Sequence, residues 1–267
     1  MEISQGSSCG IKRGSIAGIA YYECSDYGTG VPILFVHGLC GDKELFTRWL
    51  TSARDMKINS YALDLRGHGE SGGKETLGRL SLEEYCGNVL LMINHVIQRP
   101  VILVGHSMGA VCCQKIAAEH PKNVSVLVSL MSSAPRGVRP RGALVRRALH
   151  PYYLKALWKE QPFVFRTAEE YFFLNRIPRD IGKGLFKQES GRATKQLILG
   201  KLRVDKPIKP PHIVVSGKYD LAAPPSQQRA IQLKFRTLWH LELNTGHMPM
   251  LEPNAEENLK QILIYTT

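Results

Sequence analysis

The chain has 267 residues, 43% of them hydrophobic, which is enough to bury one large domain or two small ones. The formal net charge is +12 at pH 7, and the six cysteines show neither CxxC pairing nor metal-ligand spacing, so we predict free thiols that are mostly buried. No apolar run approaches the ~20 residues that span a bilayer, and residues 1–6 lack the basic and apolar regions of a signal peptide. We therefore expect a cytoplasmic protein without a transmembrane segment.

The first hundred residues alternate between apolar runs of strand character and amphipathic runs of helical spacing. Two helix starts have polar caps: Asp42 stands before one, and Ser81 with Glu84 forms a capping box before the other. The predicted elements are strands over Ile16–Glu23, Val31–Val36 and Tyr61–Leu65, a helix over Lys43–Arg54, and a helix that carries Leu82, Tyr85, Val89, Ile93 and Val96.

The next stretch joins a buried strand to a helix through a Gly-x-Ser-x-Gly turn. Val101–Val104 is apolar and mostly β-branched, and Ala110–Ala118 has helical character. Between them lies Gly-His-Ser-Met-Gly, with Ser107 at its centre. A strand, this turn and a helix in succession are the context of a nucleophile elbow, which exposes the serine at the carboxyl end of the strand.

The second half begins and ends with further strands, but its middle differs. Residues 136–210 contain no convincing strand and only broken helical patches. The predicted elements are a strand over Val124–Met131, helical patches over Ala143–Trp158, Ala168–Leu174 and Ala193–Leu199, strands over His212–Ser216 and Leu238–Leu243, and a helix over Asn254–Ile264. This alternation predicts an α/β fold, with a mostly parallel sheet and helices on both faces. We assign residues 1–135 and 206–267 to the core and 136–205 to an inserted helical lid.

An isolated serine hydroxyl is a poor nucleophile and needs a base that a third group orients. Asp220 and His247 each lie four residues past successive strands, where the carboxyl edge of a parallel sheet is expected. The competing position for the acid, after the Val124–Met131 strand, reads Ser-Ser-Ala and has no carboxylate. We therefore predict Ser107 as nucleophile, His247 as base and Asp220 as the group that orients it. Asp64 lies in a glycine-rich turn and is interpreted as structural.

Attack on a carbonyl produces an oxyanion, which needs preorganised N–H donors. The backbone N–H of Met108, at the start of the elbow helix, is one candidate. The N–H of Leu39, in the loop after the second buried strand, is the other. The predicted substrate contacts are His37, Gly38, His106 and lid aromatic residues such as Trp158 and Phe172, although His37, like His68, lies in a glycine turn and favours bonds to the backbone.

Several segments together resemble the α/β-hydrolase superfamily, in its small esterase, lipase and monoacylglycerol-lipase-like branch. They are His37-Gly38, the run Asp-Leu-Arg-Gly-His-Gly-Glu-Ser at 64–71, the elbow, Gly-Lys-Tyr-Asp at 217–220 and Gly-His-Met-Pro-Met-Leu-Glu-Pro at 246–253. The resemblance covers residues 16–135 and 206–265. It implies an eight-stranded sheet, the same three catalytic residues, no metal and no organic cofactor.

A serine at the elbow, rather than an aspartate, argues against haloalkane dehalogenase and epoxide hydrolase chemistry. The loop at 39–41 reads Leu-Cys-Gly, where many relatives carry a proline or a second glycine, so the second oxyanion donor is less firmly placed than the triad.

The positive charge is concentrated in one segment. Residues 136–210 hold 18 Lys and Arg against 6 Asp and Glu, and the rest of the chain holds 17 of each. Four interpretations stay open: a solvated basic exterior, steering of an anionic substrate, docking of an acidic acyl carrier protein, and contact with an anionic membrane surface. No nucleic-acid recognition motif accompanies the charge, so we do not expect nucleic acid as a partner.

Three functions follow as hypotheses. The first is a serine hydrolase that cleaves a small-molecule acyl ester, anionic or lipid-like, by forming an acyl-enzyme. The second keeps the triad but acts as a thioesterase or acyltransferase on acyl groups bound to coenzyme A or a carrier. The third is a ligand receptor that uses the fold without turnover.

Overall fold

The computed structural model describes residues 10–38, 41–72, 80–132, 204–220 and 223–266. The predicted lid lies almost wholly outside these ranges, as do Trp158 and Phe172. Within the described ranges, no helix has the length and apolar character that crossing a membrane requires. Four of the six cysteines fall in the described ranges, and all four are buried free thiols, as predicted: Cys24, Cys86, Cys112 and Cys113.

Eight strands form one mixed sheet at the centre of the described chain. They are β1 Lys12–Ile16, β2 Ile19–Cys24, β3 Ile33–Val36, β4 Ser60–Leu63, β5 Val101–His106, β6 Val124–Leu130, β7 His212–Gly217 and β8 Trp239–Leu243. Their order is β1-β2-β4-β3-β5-β6-β7-β8. The pairings of β1 with β2 and of β2 with β4 are antiparallel, and the other five pairings are parallel. The prediction of a mostly parallel, eight-stranded sheet is confirmed.

Helices cover both faces of the sheet. They are α1 Thr47–Asp55, α2 Leu82–Leu91, α3 Met108–Glu119, α4 Pro225–Phe235 and α5 Ala255–Leu263. One apolar cluster packs α2 and α3 against the strands, and a second packs α1 and α5 against the opposite face. The indole N–H of Trp49 on α1 donates to the carbonyl of Ala255 on α5 at 2.7 Å. Two hydrophobic layers therefore bury both faces of the central strands, as a parallel sheet requires.

The first predicted strand is wrong in one respect. Ile16–Glu23 is not one strand but the end of β1, a turn and most of β2. Ala17 and Gly18 have φ values of 47° and 77°. Positive φ at both central residues is typical of a two-residue type I′ hairpin turn, which reverses the chain where we predicted a continuous strand.

Two helical predictions also need correction. The run predicted as one helix over Lys43–Arg54 begins as a 3₁₀ turn at Lys43–Phe46 before α1, although Asp42 caps it as predicted by accepting from the N–H of Glu44 at 2.9 Å. The helix α4 was not predicted. Its signal was the pair Pro224-Pro225, because proline is favoured at the first helical position. The capping box of Ser81 and Glu84 is confirmed.

A buried ion pair joins the loop after β3 to the loop after β4. The ammonium of Lys43 lies 2.8 Å from Asp64 and 2.8 Å from Glu70, and the side chains of Lys43 and Asp64 are 1% and 0% exposed. Asp64 also accepts from the backbone N–H groups of Lys43 and Glu70, each at 2.7 Å. Burial alone would lower the pKa of Lys43, but the two carboxylates outweigh burial and raise it. This network supports the structural role predicted for Asp64.

Replacing Lys43 with methionine keeps most of the side-chain volume and removes the charge. We expect Lys43→Met to lower the free energy of unfolding by about 3–5 kcal/mol, because the carboxylate of Asp64 stays buried without its counter-ion. Chemical denaturation measures this change. Lys12→Met is the matched control, because Lys12 pairs with Asp26 at 2.6 Å on the surface, with side chains 61% and 75% exposed. Equal unfolding midpoints for the two variants would contradict a stabilising role of the buried Lys43–Asp64 ion pair.

Several histidines are buried in neutral form. Burial lowers the pKa of His212 to about 3, and its Nε2 lies 2.8 Å from the hydroxyl of Ser129. The pKa values of His68 and His106 are also lowered to about 3, chiefly by burial. The unfolded chain binds protons below about pH 6.5, whereas these folded sites stay neutral until about pH 3. The contribution of these neutral histidines to the free energy of unfolding is therefore fully present above about pH 6.5. It is lost progressively as the pH falls.

His212→Gln tests this acid sensitivity, because glutamine can still reach Ser129 but does not titrate. Between pH 6.5 and pH 4.5, we expect the unfolding free energy of the variant to fall less steeply than that of the wild type. The difference in slope is at most about 1.4 kcal/mol per pH unit. Denaturation curves at several pH values measure it, with the exposed His120→Gln as control. If both variants follow the wild-type slope, His212 is not a source of the acid sensitivity.

Candidate active site

Ser107 lies between β5 and α3 in a strained conformation. Its φ of 53° and ψ of −114° lie outside the regions that a serine ordinarily adopts. Its N–H donates to the carbonyl of Leu130 at 2.9 Å, which holds the turn against β6. Such strain, of about 1–3 kcal/mol, persists only where the surrounding structure imposes it. Ser107 therefore has the backbone geometry of the predicted nucleophile elbow.

Glycines allow the elbow to pack this closely. A Cβ atom at residue 105 would lie 2.6 Å from the Cα of Ala110, and one at residue 109 would lie 2.6 Å from the carbonyl oxygen of Val36. A Cβ atom at Gly38 would lie 2.8 Å from the Cβ of Ser107. Gly38, which precedes the predicted second oxyanion donor, therefore lies close to Ser107.

Asp220 follows β7 and its carboxylate is buried. The residue is 1% exposed, and its Oδ1 accepts from the N–H of Ala223 at 2.8 Å. Its Oδ2 accepts from Nδ1 of His247 at 2.8 Å. Since a carboxylate only accepts hydrogen bonds, this contact places the proton of a neutral His247 on Nδ1 and leaves the lone pair on Nε2.

The loop after β8 presents His247, and two sets of contacts hold it. The N–H groups of Lys218 and Tyr219 donate to the carbonyls of Leu243 and Thr245 at 2.9 and 3.0 Å, which ties this loop to the one that carries Asp220. The buried carboxylate of Glu252 accepts from the N–H of Gly246 at 3.1 Å. The backbone around both side chains is therefore fixed independently of their own hydrogen bond.

His106 brings the loop of His247 against the elbow. The imidazole rings of His106 and His247 have centroids 4.7 Å apart, and Nε2 of His106 donates to the carbonyl of His247 at 2.9 Å. His106 directly precedes Ser107 in the chain. The structure thus brings the three predicted residues to one edge of the sheet, with the Asp220–His247 contact formed.

Two predicted substrate contacts, His37 and His106, lie in buried positions. Nδ1 of His37 donates to the carbonyl of Gly38 at 2.7 Å, and its Nε2 accepts from the N–H of Leu65 at 3.0 Å. The two imidazoles are 0% and 3% exposed. Both rings bond the backbone of loops at this edge of the sheet, and their contact with a substrate stays a prediction. His68 bonds the backbone at Arg66 and is 3% exposed, as predicted for a histidine in a glycine turn.

The two predicted oxyanion donors differ in what the structure describes. Met108 begins α3, and the N–H groups of a first helical turn have no partner within the helix. Leu39 lies outside the described residues, so its N–H stays a prediction. Among the described residues, no group of three or more His, Cys, Asp or Glu side chains is arranged to hold a metal ion.

Sequence reasoning missed the supporting residues of the site. Glu252 belongs to the motif at 246–253, but its role as an acceptor for Gly246 could not be read from spacing alone. The bond from His106 to His247 joins residues 141 positions apart. The signal for His106 was its place beside Ser107, which by itself does not show where the ring points.

Comparisons with known proteins show the family to which the chain belongs. The sequence model of the Alpha/beta hydrolase family matches residues 33–257. A relative from Pseudomonas putida, the dihydrolipoyllysine-residue acetyltransferase component of an acetoin cleaving system, is 30% identical over 265 residues. The match covers 92% of this chain and 66% of the relative, so this chain spans just under two thirds of that relative's length.

Solved structures show the same fold. The enol-lactonase from Burkholderia xenovorans LB400 has a TM-score of 0.72 and 20% identity, covering 95% of this chain and 99% of that one. A thermophilic esterase has a TM-score of 0.70 and 19% identity, covering 96% of this chain and 98% of that one. The family model spans most of the chain, including the strand that leads to Ser107 and both loops that carry Asp220 and His247. The chain therefore belongs to the Alpha/beta hydrolase family.

Proposed function

We propose that the chain is a serine hydrolase that cleaves a carboxylic ester through an acyl-enzyme on Ser107. The observation that carries the proposal is the 2.8 Å hydrogen bond between Asp220 and His247 at the sheet edge where Ser107 has a strained backbone conformation. Family membership supports hydrolysis. One compared structure is an esterase and another an enol-lactonase, and a lactone is a cyclic ester, so ester cleavage takes first place.

The proposed reaction begins at the hydroxyl of Ser107. Nε2 of His247 accepts the hydroxyl proton while the oxygen attacks the ester carbonyl, and a tetrahedral intermediate forms. The carboxylate of Asp220 stabilises the resulting imidazolium through Nδ1–H. The N–H of Met108, with that of Leu39 as the predicted second donor, stabilises the oxyanion. His247 then gives its proton to the departing alcohol.

The second half repeats these roles with water. Water attacks the acyl-enzyme, His247 accepts one of its protons, and the intermediate collapses to a free acid as the proton returns to Ser107. The chemistry requires only the three side chains, the backbone donors and water.

A thioesterase or acyltransferase is the second candidate, because the Pseudomonas putida relative is an acetyltransferase component by name. The same triad would attack a thioester, and a thiol would leave in place of the alcohol. Parallel assays of oxygen esters, acyl-coenzyme A and carrier-bound acyl groups distinguish the candidates. Stoichiometric binding with no turnover on any of them would favour the receptor hypothesis.

Ser107→Ala removes the attacking oxygen. We expect ester hydrolysis to fall by roughly 10⁶-fold, since the serine and its base act as a unit. We also expect fluorophosphonate labelling to disappear, and intact-protein mass spectrometry measures this. The exposed serine on α4 provides the control, and Ser226→Ala should label like the wild type. Undiminished labelling of Ser107→Ala would remove Ser107 from its proposed role.

Asp220→Asn keeps the shape of the side chain but removes its negative charge. An amide can donate to Nδ1 and so favour the wrong tautomer of His247, and we expect kcat to fall by about 10⁴-fold. Steady-state kinetics measure the loss. Glu242→Gln, on the exposed part of β8, is the matched control and should behave as wild type. A loss of less than tenfold in Asp220→Asn would show that another group orients the base.

A further inference from the structure

His106 makes a contact with His247 that the proposed reaction does not use. Its Nε2 donates to the carbonyl of His247 at 2.9 Å, and the two rings lie with centroids 4.7 Å apart at an angle of 56°. His106 is 3% exposed, so this bond is shielded from water. The accepting carbonyl belongs to the residue whose ring is the proposed base.

Residue 247 is therefore held at two points. Asp220 holds the ring through Nδ1, and His106 holds the main chain through the carbonyl. Fixing a carbonyl restrains the neighbouring ψ angle and hence the direction in which the loop presents the side chain. His106 directly precedes Ser107. Its bond to the carbonyl of His247 therefore also holds the loop that carries His247 next to the nucleophile. Misplacement of a reacting group by about 1 Å can cost roughly 10²-fold in rate.

The other nitrogen of His106 faces the opposite loop. Within the described part of the chain, Nδ1 has no hydrogen-bond partner and is shielded from solvent. It lies 3.1 Å from the position that a Cβ atom would take on Gly38. Since the bond to the carbonyl requires a proton on Nε2, a second proton on Nδ1 would be buried without a hydrogen-bond partner among the described residues.

Three charged or titratable groups face His106. His247 and His37 favour its neutral form, whereas Asp220 opposes it. Burial, followed by the neighbouring His247, lowers the pKa of His106 to about 3, although its bond to the carbonyl and the charge of Asp220 act in the opposite direction. His106 thus stays neutral at the pH at which His247 would exchange protons with Ser107.

We propose that His106 is a positioning residue, which as a neutral Nε2–H donor fixes the main chain of His247 against the nucleophile elbow. The inference rests on the proposed function, because it assigns His106 a role in aligning that base. It gives His106 no contact with substrate and no proton to transfer.

Two substitutions separate positioning from packing. His106→Phe keeps an aromatic ring but has no donor, whereas His106→Gln places an amide N–H near the position of Nε2. We expect His106→Phe to lower kcat by about 10–100-fold with KM within twofold of wild type, and His106→Gln to recover kcat to within about threefold. The exposed His120→Phe is the control. A kcat for His106→Phe within twofold of wild type, or equal losses in both His106 variants, would overturn the proposal.

The pH profile of kcat/KM tests whether His106 acts as a neutral group. Removing a neutral donor should leave the apparent pKa of the acid limb unchanged or lower it, because His247 is then less well aligned with Asp220. If His106 carried a positive charge in the wild type, His106→Phe would raise that pKa, and the neutral role would be wrong.

Wild-type protein gives a test that does not depend on the folding of His106→Phe. In ¹⁵N-histidine NMR, with the signals of His106 assigned by their loss in His106→Gln, we expect the neutral Nε2–H tautomer down to pH 5. An Nδ1–H tautomer, or protonation above pH 5, would overturn the proposal. Failure of the proposed function is distinguishable, because wild-type protein would then neither turn over esters nor label with a fluorophosphonate.

Discussion

The hydrogen bond between Asp220 and His247 is the contact on which the proposed chemistry depends. The carboxylate is almost fully buried, and one of its oxygens is held by the backbone of Ala223 while the other accepts from the imidazole. A charge in such a place is stable only with partners, and a protonated imidazole is the partner that the reaction would create. The same contact fixes the tautomer that leaves Nε2 available to Ser107.

The sheet supplies the place where this contact can form. Parallel strands end at a common edge, so β5, β7 and β8 deliver Ser107, Asp220 and His247 to neighbouring loops although the residues are far apart in sequence. The small size of Gly105 and Gly109 allows the backbone to pack closely on both sides of the serine. Behind this edge of the sheet, buried histidines hydrogen-bond the backbone in their neutral form and add no charge. The site thus combines two buried carboxylates, those of Asp220 and Glu252, with neutral histidine supports.

Much of this arrangement could be predicted from the sequence, because it depends on local patterns. Apolar runs mark the buried strands, the elbow has a short motif, and the order serine, aspartate, histidine follows the chain. The hairpin at Ala17-Gly18 was missed because its signal is the backbone conformation rather than hydrophobicity. The buried Lys43 was missed because its two carboxylate partners come from another loop. The roles of His106 and Glu252 depend on which way their side chains point, which spacing does not record.

The claim that Asp220 acts through His247 on Ser107 can be tested by a double-mutant cycle. The measured quantity is the rate constant for fluorophosphonate labelling of Ser107 in the wild type, Asp220→Asn, His247→Ala and the double variant. The account predicts that Asp220→Asn slows labelling strongly in the wild-type background and has almost no effect once His247 is absent. An equal loss in both backgrounds would contradict the account, since Asp220 would then act on the serine without the imidazole.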